Sequence, residues 1–374
     1  MPRHHLTATA LAALIALAPP LSPVVAIAAP SAVAANPHDA GALSLPAPKA
    51  GRARPLVVIV AGNGGAETTD FTLPYAVLKD ADVAEVRSLS TKAGPVRLIP
   101  ALRIITDQTL TQFDADVPAG ADIVIIPAQH RPRDPALIAW VRAQATKGAT
   151  IVAVCEGARV LAHAGLLNGR RATSHWSALA GLDKAYPATT WLRDRRYIQD
   201  GPVITTAGVT ASIPMALALV EAIGGRNAAQ ATATRFGMAD WSPTHRTADF
   251  ALRQGDVSGA LRAVAAVWTH ETVEAPLAAG VDEAALALRA DAWSRTFRTR
   301  VVITGTGAVR SRHGLTLLPD APARPGRYLI PGDDGPAAPQ LDTAIVQIGL
   351  RYGPAAARLS TLGMEYDAVG QRHD

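Results

Sequence analysis

Apolar runs without helical spacing alternate with amphipathic segments over residues 56–225. The runs at 56–60, 121–127 and 150–154 are rich in β-branched residues, as is typical of parallel strands that are buried on both faces. The segment 135–147 instead carries its apolar residues on one side and ends at a glycine, as amphipathic helices do. We therefore predict an α/β fold with a mainly parallel sheet covered by helices on both faces.

The same two patterns predict the individual elements. The predicted strands are 56–60, 83–88, 102–106, 121–127, 150–154 and 203–206. The predicted helices are 70–79, 135–147, 158–164 and 212–223.

Beyond residue 231 the pattern changes and predicts a smaller α+β region. It has helices at 246–269 and 282–297 and a strand at 300–305. The segment 310–332 loosely resembles 102–127, which indicates either a degenerate partial repeat or merely a shared composition. Because no second cysteine follows it, we expect no chemistry from this region.

A chain of 374 residues is long enough for about two domains. We predict a signal peptide at 1–35, a linker rich in Ala, Pro and Gly at 36–54, a first domain at 55–230 and a C-terminal extension at 231–374. Residues 1–35 have a short basic start, an apolar stretch and small residues near Ala34 and Ala35 that suit cleavage. We expect a periplasmic or secreted protein, with membrane contact only if this segment stays uncleaved.

Composition and charge exclude several classes of function. The net charge of +5 comes from scattered residues with no run of Lys or Arg, and only 5% of residues are aromatic, so we expect no nucleic-acid partner. The histidines lack metal-ligand spacing, and the Gly-rich turn at 62–65 lacks the lysine of a phosphate loop. We therefore predict no metal and no cofactor.

The single cysteine lies where chemistry is expected. Cys155 follows the predicted strand 150–154 and precedes the predicted helix 158–164, so it occupies a sharp turn above the carboxyl edge of the sheet. The positive end of the following helix should lower the pKa of its thiol and favour a nucleophilic thiolate. The alternative is a lone buried cysteine that only packs.

Three stretches resemble a known family. They are VCEGARVLAHAGLLNGRRATSHW around Cys155, ITTAGVTASIPMALALVE at 204–221 and GAETTDFTLPYAVL at 65–78. Residues 56 to about 225 resemble the PfpI superfamily, with its class I glutamine amidotransferase-like fold, and most of all the sensor domains of AraC-type regulators and the isonitrile hydratases. The resemblance implies a flavodoxin-like three-layer sandwich with a nucleophile elbow, and a homodimer. No helix-turn-helix follows the first domain, unlike in the AraC-type regulators.

The resemblance also implies roles for single residues. Cys155 matches the family nucleophile, and Asp70 matches an acidic residue four positions before a proline, here Pro74, that holds a proton beside the thiol. Asp70 alternatively serves as a helix cap. His175 occupies a position where several members place a histidine near the nucleophile, and its alternative role is packing near Trp176.

An oxyanion hole is the last implied feature. The backbone N–H of Glu156 is one expected donor. The family usually has Pro-Gly-Gly where this chain has Pro127, Ala128 and Gln129, so the second donor would be Gln129, whose side chain we expect to crowd the pocket.

Two functions from different classes remain open. One is a cysteine-dependent hydrolase or hydratase that acts on a small amide, isonitrile or reactive carbonyl. The other is a catalytically inactive module of the same fold that binds a small molecule or has a structural role, without a DNA-binding domain.

Overall fold

The structure, a computed structural model, describes residues 41–367, and the predicted signal peptide lies outside this range. Its α-helices are α1 (Thr68–Ala81), α2 (Leu110–Asp116), α3 (Pro135–Thr146), α4 (Ala158–His163), α5 (Trp176–Ala185), α6 (Ser212–Gly224), α7 (Arg226–Phe236), α8 (Gln254–Ala265), α9 (Glu283–Ser294), α10 (Pro339–Tyr352) and α11 (Pro354–Met364). None of the helices in this range is both long enough and apolar enough to cross a membrane.

The strands of the same range form one large sheet and three smaller ones. They are β1 (Leu56–Ala61), β2 (Ala66–Glu67), β3 (Glu85–Ser90), β4 (Val96–Ile99), β5 (Arg103–Ile105), β6 (Gln108–Thr109), β7 (Ile123–Ile126), β8 (Thr150–Ala153), β9 (Arg171–Ala172), β10 (Thr190–Trp191), β11 (Tyr197–Asp200), β12 (Val203–Thr206), β13 (Glu271–Pro276), β14 (Thr299–Thr304), β15 (Val309–Arg310), β16 (Thr316–Leu317) and β17 (Tyr328–Leu329).

The large sheet has seven strands in the order β11-β12-β8-β7-β1-β3-β6. All neighbours in it are parallel except β11 and β12, which pair in the antiparallel sense. Along β1, Val57 and Ile59 join one apolar cluster while Val58 and Val60 join another, because successive side chains of a strand point to opposite faces. The mainly parallel α/β sheet predicted from the sequence is confirmed.

Helices cover both faces of this sheet and complete a flavodoxin-like three-layer sandwich. Helices α1 and α6 pack together on the face of Val57. Helices α2 to α5 supply the second cluster, with Phe113, Trp140 and Leu179 among its buried residues. The site discussed below lies at the carboxyl ends of β8 and its neighbours.

The C-terminal extension packs on the outer side of α1. Its strands β14, β13 and β17 form a parallel sheet, and α9 lies against both α1 and α10. Strand β16 also pairs with β5 of the first domain, with Thr316 opposite Ile105. One apolar cluster contains Phe71 from α1 and Trp293 from α9, so the core is shared across the predicted boundary at 230. The partial-repeat hypothesis stays a prediction.

Two segments differ from their sequence-based description. The single helix predicted at 246–269 is wrong: a 3₁₀ turn at Thr247–Phe250 is followed by α8, because the side chain of Asp256 accepts the N–H of Arg253 at 2.8 Å and starts a new helix. The described part of the predicted linker, residues 41–54, lies against the first domain, where Arg52 forms an ion pair with Asp122 at 2.7 Å.

Candidate functional site

The chain turns sharply at Cys155, between β8 and α4. Cys155 has a positive φ of 57° and begins a short 3₁₀ turn, Cys155–Gly157. A side chain in this left-handed conformation costs roughly 1–2 kcal/mol, which the surrounding packing must offset. A Cβ atom on Gly157 would lie 2.1 Å from the carbonyl oxygen of Ile126, so only glycine fits there. We call residues 154–157 the elbow.

The backbone of Cys155 is held by its neighbours in the fold. Its N–H donates to the hydroxyl of Thr206 at 3.3 Å, and its carbonyl accepts from the hydroxyl of Ser174 at 2.9 Å. These two bonds tie the elbow to the end of β12 and to the start of α5. The turn is therefore fixed on both sides.

The Cys155 thiol does not have the lowered pKa expected from the sequence. It is only 5% exposed, and burial raises its pKa well above the ordinary value. The charges of Asp70, Glu156 and Glu67 add to this rise, while the N–H of Glu156 opposes it by bonding the sulfur. Loss of solvent and three carboxylates thus outweigh the dipole of a six-residue helix.

Asp70 lies in the first turn of α1 and is fully buried. Its Oδ2 accepts the N–H of Ala128 at 3.0 Å, and its Oδ1 has no hydrogen-bond donor among the described residues. Burial raises the pKa of Asp70 to about 7, against the lowering effects of the Ala128 N–H and of Arg295. The helix-cap role considered for Asp70 is wrong, because Glu67 caps α1 by accepting the N–H of Asp70.

Glu67 and Asp291 surround a guanidinium group next to Asp70. Arg295, directly after α9, places its Nη2 atom 2.9 Å from Oε1 of Glu67 and its Nε atom 2.7 Å from Oδ1 of Asp291. Burial, then the charges of Asp70 and Asp291, raise the pKa of Glu67, while Arg295 lowers it. We call Glu67, Asp70 and Asp291 the carboxyl cluster, with Arg295 as its counter-charge.

Gln129, the second oxyanion donor expected from the sequence, lies in the turn after β7. Neither Ala128 nor Gln129 has a positive φ. The N–H of Ala128 is bonded to Asp70, whereas that of Gln129 finds no acceptor within residues 41–367. The Gln129 side chain does not crowd the pocket as expected, because its Oε1 accepts the N–H of Gly62 at 2.9 Å and its Nε2 donates to Val60 at 3.1 Å.

His175 lies beside the elbow without bonding the thiol. Its Nδ1 accepts the N–H of Ser177 at 3.3 Å and caps α5, and its ring lies 5.6 Å from that of Trp176. No hydrogen bond joins His175 to Cys155 in the described part of the chain. Burial lowers the pKa of His175, so the ring favours its neutral form. The geometry matches the structural alternative more closely than a thiol-activating one.

Glu365, directly after α11, closes the site from the C-terminal side. Its buried carboxylate accepts the N–H groups of Gly208 and Trp176 and lies 2.8 Å from Nε2 of His245. The indole of Trp176 also donates to the carbonyl of Leu362 at 2.9 Å. The end of the C-terminal extension is therefore bonded to the elements that flank the elbow.

Sequence reasoning missed Arg295, Asp291 and Glu365. Asp291 and Arg295 are four residues apart in a helical segment, a spacing that usually indicates an exposed ion pair. No local signal shows that their helix packs on α1. Residues 41–367 contain no group of three His, Cys, Asp or Glu side chains that could hold a metal ion.

Known proteins resemble this chain over its first domain. Residues 56–222 match the DJ-1/PfpI family. The HTH-type transcriptional regulator CdhR of Pseudomonas aeruginosa is 33% identical over 180 residues, which are 47% of this chain and 52% of the regulator. The isonitrile hydratase of Pseudomonas putida is 33% identical over 167 residues, which are 43% of this chain and 69% of the hydratase.

The crystal structure of Drosophila melanogaster DJ-1beta aligns with a TM-score of 0.45 and 23% identity, covering 50% of this chain and 100% of the other. The chain spans about half the length of the regulator CdhR, at 52%. Arg295 and Glu365 both lie beyond the family match, which ends at residue 222. From its matched domain and from its identity to the hydratase over 69% of that protein, the chain belongs to the DJ-1/PfpI family.

Proposed function

We propose that the protein is a hydrolase or hydratase that uses Cys155 to attack a small amide, isonitrile or reactive carbonyl. The observation that carries this proposal is Asp70, a buried carboxyl whose pKa of about 7 lets it take or give a proton near neutral pH. After burial, the charge of Asp70 has the largest effect on the pKa of the Cys155 thiol. A thiol and a proton carrier thus share one buried site.

With an isonitrile, the steps balance as a hydration. The sulfur of Cys155 bonds to the terminal carbon, and Asp70 moves the thiol proton to that carbon, giving a thioimidate. Water then adds to the same carbon and gives one proton to nitrogen. As the C–S bond breaks, the remaining hydroxyl proton passes to the sulfur and the C=O bond forms. The products are an N-substituted formamide and the free thiol. The N–H groups of Glu156 and Gln129 would stabilise negative charge on the oxygen.

A raised thiol pKa suits this sequence of steps. The thiol is stored in its protonated form, and Asp70 in its ionised form accepts the proton as the S–C bond forms. Substrate binding is expected to require a local opening of the site, because the thiol is only 5% exposed. The relative named as an isonitrile hydratase also supports this substrate class.

The second candidate is a catalytically inactive module that binds a small molecule or has a structural role. The observation that favours it is the buried thiol, which is only 5% exposed and has a raised pKa. The C-terminal extension is also bonded through Glu365 to Trp176 and Gly208, in elements that flank the elbow. A relative named as a transcriptional regulator is consistent with it.

Turnover on defined substrates separates the two candidates. The wild-type protein should convert an alkyl isonitrile to a formamide, a primary amide to ammonia and acid, or a 2-oxoaldehyde to a hydroxy acid. Cys155→Ala should abolish that activity, and Asp70→Asn should lower it by ~100-fold or more. Activity that survives in Cys155→Ala would contradict the role of Cys155 as nucleophile. No turnover in any of the three classes would contradict the enzyme and favour the binding module.

We also propose export to the periplasm or the medium, supported by the composition of residues 1–35. N-terminal sequencing of the mature protein should begin close to Ala34 or Ala35. A protein that keeps residues 1–35 and is found in the cytosolic fraction would contradict export. A homodimer and the absence of a nucleic-acid partner stay predictions.

A further inference from the structure

We propose that Arg295 is a positioning residue of the Cys155 site, which sets the charge of the carboxyl cluster and makes the C-terminal extension part of that site. The inference rests on the proposed function, because it concerns the same thiol. It assigns a role to a residue that lies beyond the segment matched to the family, which ends at 222.

The geometry holds the guanidinium group of Arg295 in one place. It donates from Nη1 to the carbonyl of Gly363 at 2.6 Å, and from Nη2 to Asp291 at 3.0 Å and to Glu67 at 2.9 Å. Asp291 has no exposed surface, and only 23% of the Arg295 side chain is exposed. A planar fork with this many partners has little freedom to turn away from the cluster.

The contacts lead from Arg295 to the thiol in two steps. Glu67 bonds Arg295 with Oε1 and accepts the N–H of Asp70 with Oε2 at 2.6 Å. Asp70 and Glu67 in turn are charged groups that act on Cys155. A change at Arg295 therefore reaches the sulfur through the position and charge of two carboxyl groups.

The charge balance explains why a cation is needed at this point. The charges of Asp70, Glu156 and Glu67 act on the thiol. Glu156 has its own partner in Arg159, whereas Arg295 pairs with Glu67 and with Asp291. Without a positive charge, the buried carboxylates would be neutralised by protons or would repel a thiolate more strongly. Arg295 thus offsets part of the negative charge around the thiol.

Other titratable groups adjoin the elbow. His175 begins α5, next to Ser174, and Glu365 follows α11. His175 faces Glu365 and Glu156, which oppose the effect of burial on its pKa. Neither His175 nor Glu365 forms an ion pair with Arg295. The charge of Arg295 nevertheless lowers the pKa of His175, and its Nη1 bonds the carbonyl of Gly363, two residues before Glu365.

The test measures the ionisation of Cys155, the only cysteine in the chain, so that the thiolate absorbance and the alkylation rate report on this one sulfur. Both are followed against pH in wild type, Arg295→Gln and Arg295→Lys, with Cys155→Ser as the blank. Arg295→Gln should raise the midpoint of ionisation by about one pH unit, which is roughly tenfold in thiolate fraction below the midpoint. Arg295→Lys should stay within about half that shift, because it keeps the charge.

The matched control is Arg358→Gln. Arg358 forms the same forked pair with Asp256, at 2.8 Å, between α11 and α8 of the C-terminal extension. The Arg358→Gln variant should have a lower melting temperature but the same midpoint of Cys155 ionisation as wild type. A folded Arg295→Gln protein with the midpoint of wild type would overturn the proposal.

If Arg295→Gln does not fold, Glu67→Gln decides the matter. It removes one carboxylate that faces Arg295, so the Cys155 midpoint should fall, and an unchanged midpoint would also overturn the proposal. The titration needs no substrate. If the protein turned over no substrate, the proposed enzymatic function would be contradicted, but the role of Arg295 could still be measured. If the enzyme were active and the midpoint of Cys155 ionisation did not move, only the proposed role of Arg295 would be contradicted.

Discussion

Glu67 and Arg295 form an ion pair with Oε1 and Nη2 2.9 Å apart, although 228 positions separate them in the chain. Glu67 caps the helix that carries Asp70, and Arg295 follows a helix of the C-terminal extension. The pair therefore joins the two parts of the molecule at the point where the candidate chemistry lies.

Asp70 should make stability depend on pH in a defined direction. Its pKa is raised from 3.8 to about 7 in the folded protein, so between these values the folded state binds more protons than the unfolded state. Stability contributed by Asp70 is complete below the lower value and is lost as the pH rises through the higher one. In denaturant unfolding, the free energy of unfolding should fall by on the order of 1–4 kcal/mol over this pH window in wild type. The fall should be smaller by that amount in Asp70→Asn.

The comparison of Asp70→Asn with wild type isolates this carboxyl from the others that titrate. Glu283→Gln is a suitable control, because Glu283 is equally buried but lies at the start of α9 beside His313. If the free energy of unfolding changed equally with pH in wild type and in Asp70→Asn, Asp70 would titrate as an ordinary carboxyl.

Alkylation of Cys155 should be slow in the resting protein. Burial and neighbouring carboxylates raise the pKa of the thiol, so little thiolate exists near neutral pH. Iodoacetamide labelling followed by mass spectrometry should show a rate that keeps rising with pH beyond the range of a free cysteine peptide. Fast labelling below neutral pH would instead support the low pKa expected from the sequence.

Gly157→Ala should destabilise the protein by ~3 kcal/mol or more, because its Cβ would overlap the carbonyl oxygen of Ile126 at 2.1 Å. Gly181→Ala is the matched control. Gly181 lies in α5, and a methyl group added there would have no atom within 4 Å, so this change should stabilise by about 0.5–1 kcal/mol. Thermal unfolding of both variants checks the prediction, and equal melting temperatures would refute the close packing of the elbow.

Glu365→Ala should destabilise by about 3–5 kcal/mol and speed the alkylation of Cys155. The change leaves the N–H groups of Gly208 and Trp176 and the ring of His245 without their buried partner, and it frees the end of the C-terminal extension.

Glu271→Ala provides the comparison, since Glu271 pairs with Arg351 near the surface. Its removal should lower the free energy of unfolding by only about 0–1 kcal/mol. It should leave the alkylation rate at its wild-type value. A Glu365→Ala protein whose thiol reacts no faster than wild type would show that this segment does not control access.

Much of the candidate site could be predicted from sequence because its signals are local. A buried strand, a cysteine and a helix in succession place Cys155 at a turn above the sheet edge, and the acidic residue before Pro74 lies in the first turn of its own helix. The sequence pattern of the C-terminal extension predicts no chemistry there, yet this region brings Arg295 and Glu365 to the site. Their neighbours in sequence contain no sign of the distant residues that they contact.

The sequence alone determined the parallel sheet, the turn at Cys155 and the position of Asp70, since hydrophobic period and turn residues act over a few positions. The tertiary structure alone decided the protonation of the thiol, its burial, the residue that caps the helix of Asp70 and the counter-charge beside that carboxyl group. These depend on how much water is removed from a group and on which charges then face it, and both quantities exist only once distant helices have packed together.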